Sequence, residues 1–194
     1  MSKEVSGTLG FIIPPNNSTQ KLLTSLVHKH SQKKDRIPTP FHLSLYHGQL
    51  KNLPVEVAKK LLADVSYLIN KNYSLNSVEP YGDKFLFWNV EKPHKYLQKA
   101  HETIVDTLSR YVDKEKVGLA LKEGLKLSSK ELSNMEKYSH PLVKDLFLPH
   151  FTILFRESGV TKTGNEKHEA RVEEIQFAEI GSHSKIRRVI LTSP

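Results

Sequence analysis

Phe41-His42-Leu43-Ser44-Leu45-Tyr46 and, 108 residues after its histidine, His150-Phe151-Thr152-Ile153 carry the same order of imidazole, apolar, hydroxyl and apolar side chains. On a strand, residues two apart point to the same side. His42, Ser44 and Tyr46 would then share one face while Phe41, Leu43 and Leu45 enter a core. His150 and Thr152 would do the same, with Phe151, Ile153 and Phe155 behind them. Chance alone does not account for the match. The chain has 10 histidines and 28 Ser or Thr in 194 residues, which gives about 1.4 pairs at this spacing by chance. Three occur. An apolar residue on both sides of the hydroxyl lowers the expectation to about 0.2, and two pairs survive. The third, His101-Glu102-Thr103, sits on a helical pattern, where residues two apart face different ways.

Working outward, short strands and helices alternate. Leu9–Ile13 reads as a strand stopped by Pro14-Pro15, and Asn16, Asn17 or Ser18 can cap a helix carrying Leu22, Leu23, Leu26 and Val27. Pro54 stands where a first helical residue belongs, followed at helical spacing by Val57, Leu61, Val65, Leu68 and Ile69. Leu75–Pro80 and Lys84–Val90 read as a hairpin about Tyr81-Gly82-Asp83. Pro93 opens a helix with Leu97, Ala100, Ile104 and Leu108 on one stripe. The lysine-rich stretch Asp113–Lys137 reads as one or two short helices and a loop. Leu148–Phe155 is a strand, and Arg171–Ile180 with Ile186–Thr192 forms a final hairpin. The pattern predicts an α+β fold with antiparallel sheets.

Composition narrows the function classes. With 38% hydrophobic and 26% charged residues the chain is neither collagen-like nor of low complexity. No apolar run approaches the ~18 residues of a membrane span, so no membrane association is expected. The N-terminus lacks the basic-then-apolar pattern of a signal peptide, which predicts a cytoplasmic protein. The absence of cysteine excludes disulfides, thiol nucleophiles, thiolate zinc sites and iron–sulfur clusters. A net charge of +8, with basic clusters at His28–Arg36, Lys114–Lys130 and Lys185–Arg188, suits a polyanionic partner but equally suits solubility. Phosphate-cradling glycine loops, a dinucleotide fingerprint, a nucleophile elbow and His-Glu-x-x-His are all missing.

Two imidazole–hydroxyl pairs suit metal-free phosphodiester chemistry. Histidine titrates near neutrality, so one ring can begin as base and the other as acid. That predicts a bell-shaped pH dependence with limbs within about a unit of 6.5. Neighbouring hydroxyls can donate to phosphoryl oxygens as charge develops. Tyr46, taken as sharing the His42 face, is a candidate to stack on a base or ribose, or simply packs. Arg156, six residues after His150, is a candidate phosphate contact or a solvated charge at a strand end. Trp88 reads as core. His28-Lys29-His30 and His94/His101 lack matched carboxylates, so no metal is expected. His140 reads as a surface histidine within reach of a cleft.

The two tetrapeptides resemble the paired His-x-Ser/Thr-x signatures of the 2H phosphoesterases, a superfamily that includes RNA 2′,3′-cyclic phosphodiesterases, the so-called 2′–5′ RNA ligases and 2′,5′-oligoadenylate phosphodiesterases. The early strand, the spacing of the histidines and the terminal hairpin fit as well; the lysine-rich segment has no counterpart. The resemblance implies a single bilobed domain over residues 1–194, with two antiparallel sheets, flanking helices and a central cleft to which each lobe brings one motif. It implies that His42 and His150 exchange the roles of base and acid, that Ser44 and Thr152 hold the non-bridging oxygens, and that no cofactor is needed. The expected partner is an RNA or nucleotide substrate, and the expected state a monomer. A non-catalytic nucleotide- or RNA-binding module of the same fold, and RNA end-joining by the reverse reaction, stand as alternatives.

Overall fold

A computed structural model describes residues 3–92, 94–122, 127–157, 159–161 and 164–193. Eight strands are present in it: β1 (Glu4–Ile13), β2 (Leu43–Pro54), β3 (Asn72–Tyr81), β4 (Phe85–Val90), β5 (His150–Phe155), β6 (Gly164–Arg171), β7 (Gln176–Ile180) and β8 (Ile186–Thr192). Five α-helices accompany them: α1 (Asn17–His30), α2 (Val55–Asp64), α3 (Lys95–Leu108), α4 (Lys114–Lys122) and α5 (Ser129–Tyr138). Asn16 starts α1 by accepting the Thr19 N–H through its side chain at 2.9 Å, a cap contributing about 1 kcal/mol. Ser128 and Glu131 form a reciprocal capping box at the start of α5. No described helix is long and apolar enough to cross a membrane.

All strand pairs are antiparallel, in the order β6-β3-β4-β5-β2-β1-β7-β8. The resemblance implies two sheets, whereas the described strands form one. Its halves, β6-β3-β4-β5 and β2-β1-β7-β8, meet through a single matched pair, Leu43 opposite Phe151. Both residues are fully buried. The main core packs α1, through Leu23 and Leu26, α2, through Leu61 and Leu62, and α3, through Ala100 and Ile104, with Leu9, Phe11, Leu43, Trp88 and Phe151 of the sheet. These helical residues recur at the spacing that gives a helix one apolar face.

Several element boundaries depart from expectation: β1 begins at Glu4 rather than Leu9, and β2 runs on past Tyr46 to Pro54. Pro54 ends β2 and caps α2, and the first helical residue is Val55. The helix stops at Asp64, and Ser66–Leu68 form a single 3₁₀ turn. The anticipated strand Arg171–Ile180 divides into the end of β6 and β7. The polar sequence of β6 hid it: only Ala170 of that strand is buried, so the strand lacks the apolar alternation by which it would be recognised. The expected opening of α3 at Pro93 lies outside the described residues, as do positions 123–126 of the lysine-rich stretch.

Candidate active site

The junction of the two half-sheets places both motifs side by side. Leu43 and Phe151 are the residues that follow the two histidines, and they pair antiparallel with their side chains in the core. Alternation therefore sends His42, Ser44, His150 and Thr152 to the opposite side, where all four line one cavity of about 260 Å³. Its other walls include Phe85 and Phe87 of β4, Tyr81 of β3, and the segment His140–Val143.

Each motif histidine is held by the same backbone device. His42 Nδ1 lies 3.4 Å from the Pro40 carbonyl and His150 Nδ1 lies 2.7 Å from the Leu148 carbonyl. A carbonyl only accepts, so Nδ1 carries the hydrogen in both rings and Nε2 is left for chemistry. Burial lowers both imidazoles to about 4, against a smaller opposing effect of these carbonyls. For His150 the charge of a protonated His42 acts in the same downward direction. Phe87 stacks on the His150 ring at 3.6 Å between centroids and an interplanar angle of 17°. Tyr81 stacks in turn on Phe87 at 5.2 Å, and its hydroxyl donates to Glu131 at 2.6 Å. The result is a row of flat side chains ending on the imidazole.

Tyr46 does not share the His42 face. Ile12 pairs with Ser44 while its neighbour Phe11 pairs with Tyr46, so Leu45 is an extra residue in β2, a β-bulge. The bulge turns Tyr46 inward: its ring is 3% exposed, and its hydroxyl donates to the Tyr138 carbonyl at 2.7 Å. It borders the cavity as packing, with its one polar group engaged elsewhere. His47 takes the place expected of Tyr46, with Nδ1 3.3 Å from Ser44 Oγ. Its ring meets that of His140 edge-on at 4.3 Å. Burial also lowers His47 to about 4 and carries His140 well below its ordinary value.

Arg156 also departs from expectation. It is not among the residues lining the cavity; it grips Asp35 with two parallel bonds of 2.8 and 2.7 Å and donates to the His30 carbonyl. That pair holds the loop after α1 against the end of β5, and the guanidinium keeps the Asp35 carboxyl below its usual range. Its planar fork matches the carboxylate geometry, leaving little of it for a phosphate.

Other residues singled out by the sequence have structural work. Trp88 is fully buried and donates to the Glu166 carbonyl at 2.8 Å. His101 is 1% exposed; it donates from Nδ1 to the Leu45 carbonyl at 2.6 Å, and its Nε2 accepts the Lys144 N–H at 2.9 Å. Among the described residues no group of three or more His, Asp or Glu side chains is arranged to hold a metal ion. No described residue lining the cavity is Lys, Arg, Asp or Glu.

The sequence signals for His42, Ser44, His150 and Thr152 were strong. Nothing comparable marked His47, because a bulge cannot be read from a period of two. Phe85 and Phe87 carried a weak signal, their alternation with Leu86 and Trp88.

The same overall fold, an antiparallel sheet flanked by helices, is found in solved structures of other proteins. E. coli LigT complexed with 3′-AMP superposes with a TM-score of 0.56 at 13% identity, over 97% of this chain and 97% of that one. The Thermus thermophilus protein TT0787 gives 0.57 at 15% identity over 96% of each chain. A third structure, described as a phosphoesterase, gives 0.55 at 14% over 97% of each. No family model matches the sequence, and no curated protein is detectably similar to it. At such identities it is the fold that is shared.

Proposed function

We propose that the chain is a metal-independent phosphodiesterase acting on 2′,3′-cyclic phosphates or 2′,5′-linked RNA or nucleotides. One observation carries this reading: two imidazoles, each with Nδ1 bound to the carbonyl two residues before it, line the same cavity as two hydroxyls. A base and an acid on either side of a phosphorus atom are what in-line displacement requires. One ring takes a proton from water as its oxygen bonds to phosphorus. The other gives a proton to the departing ribose oxygen as the P–O bond breaks. Ser44 and Thr152 donate to the non-bridging oxygens as their charge grows.

The electrostatics favour a diester over a polyphosphate. A phosphodiester brings one negative charge, which one protonated imidazole can match, while the described lining offers no lysine or arginine for more. A cavity of about 260 Å³ is near the small end of ligand sites, about 300–1,000 Å³, and fits one nucleotide end. The analogy with LigT bound to 3′-AMP supports this class of ligand.

The test is cleavage of 2′,3′-cyclic nucleotides, cyclic-phosphate-ended RNA and 2′,5′-oligoadenylate in excess EDTA, with His42→Ala and His150→Ala alongside. Turnover that survives the chelator and is lost in both variants is expected. Folded wild-type protein that binds these ligands without cleaving any would make the cavity a binding module.

A further inference from the structure

The cavity holds two imidazoles beyond those the proposed reaction uses. His47 lies 3.3 Å through Nδ1 from Ser44 Oγ, and its placement is built from several directions. Gly10 faces it across β1 and β2, and a Cβ on that glycine would stand 2.9 Å from the His47 Cβ, so only glycine leaves the room. His140 closes the other side edge-on. The segment carrying His140 is itself clamped to β2, by Tyr46 donating to the Tyr138 carbonyl and by the Gln49 N–H donating to Ser139 Oγ at 2.7 Å. His140 Nδ1 accepts the Leu142 N–H at 3.2 Å, which fixes that ring too.

Ser44 has one proton to give. If it went to His47, the phosphoryl oxygen would face a lone pair and the hydroxyl would repel the charge it is there to stabilise. We propose that His47 is a positioning residue: its Nδ1–H donates to Ser44 Oγ and turns the Ser44 proton toward the phosphoryl oxygen. No described side chain is bonded in this way to Thr152, so the two hydroxyls are unequal, and Ser44 is the pre-set donor. This role rests on the phosphodiesterase reading, but the orientation of the hydrogen bond does not.

Two arms test it. Nitrogen-15 NMR of the imidazole rings reads the tautomer whether or not the protein turns over substrate: a neutral His47 protonated at Nδ1 is expected, and protonation at Nε2 alone would overturn the proposal. In the second arm, on a cyclic nucleotide that the wild type cleaves, His47→Ala should lower kcat about 10- to 100-fold with KM nearly unchanged. His47→Asn places an amide N–H near the Nδ1 position and should recover most of the loss, whereas His47→Gln, which reaches toward Nε2, should not. In a Ser44→Ala background His47→Ala should cost nothing further. An equal loss in both backgrounds, or no difference between Asn and Gln, would make His47 a structural residue only. Melting curves identify any variant that fails to fold, and the Asn–Gln comparison stands without the alanine variant.

Discussion

His42 and His150 are both neutral at pH 7, because burial lowers each to about 4. The proposed reaction nevertheless needs one of them protonated. The charge that restores the proton comes with the substrate, since a phosphodiester anion close to an imidazole favours its charged form. kcat/KM reports the free enzyme, so its alkaline limb should lie below 6.5, and the rate should rise as the pH falls from 8 toward 5. The limb in kcat, which reports the complex, should lie at higher pH. Pairs of pH–rate profiles on a cyclic nucleotide measure both, and a kcat/KM limb at or above 6.5 would mean that the rings are solvated in solution. This moves the optimum acidward of the value that free histidine suggested. Replacement of Ser44 or Thr152 by alanine should each lower kcat by about 10- to 1,000-fold; unchanged rates in both variants would leave the hydroxyls only structural.

At the scale of elements, the bulge at Leu45 explains most of what the sequence reading missed. An extra residue in β2 puts His47 instead of Tyr46 beside Ser44, and it leaves the Leu45 carbonyl in need of a donor. His101, on α3, supplies it and accepts the Lys144 N–H on its other nitrogen. A buried histidine on an apolar helix stripe therefore serves a strand 56 residues away, a link with no local signal. His101→Phe keeps a ring able to stack on Phe147 as His101 does, at 3.9 Å, but leaves both backbone groups unpaired. It should destabilise the protein by about 2–4 kcal/mol, measured by urea unfolding. A change under about 0.5 kcal/mol would mean that other groups take over both bonds. Most long elements are legible because their apolar spacing repeats, as in α1 and α3, and in α1 the cap agrees with it. β6 was not, since its one buried residue leaves no pattern, and Arg156 was misassigned because its partner Asp35 is remote in sequence.

For the whole molecule, the meeting of two half-sheets at Leu43 and Phe151 gathers ionisable rings from distant parts of the chain into one largely buried region. That region sets the pH at which the fold survives. Burial lowers His42, His47, His101 and His150 to about 4 and His140 well below its ordinary value, whereas the unfolded chain has them near 6.5. Above 6.5 both states are neutral and these rings leave stability independent of pH. As the pH falls from 6.5 toward 4, the unfolded chain takes up protons that the folded chain refuses, so stability is lost in that window. Each ring contributes about 1.4 kcal/mol per pH unit. His42 and His101 alone, at 7% and 1% exposure, give nearly 3 kcal/mol per unit. Against a total stability of about 5–15 kcal/mol, the protein should unfold before pH 4 is reached. Urea midpoints at pH 7, 6 and 5 should decline progressively, and His101→Phe should lower the slope by about one proton. A stability flat from pH 7 to 5 would show the rings hydrated. The same burial thus opposes itself: acid favours the protonated catalyst and disfavours the fold, and the working range lies where substrate supplies the proton's counter-charge before the empty protein gives way.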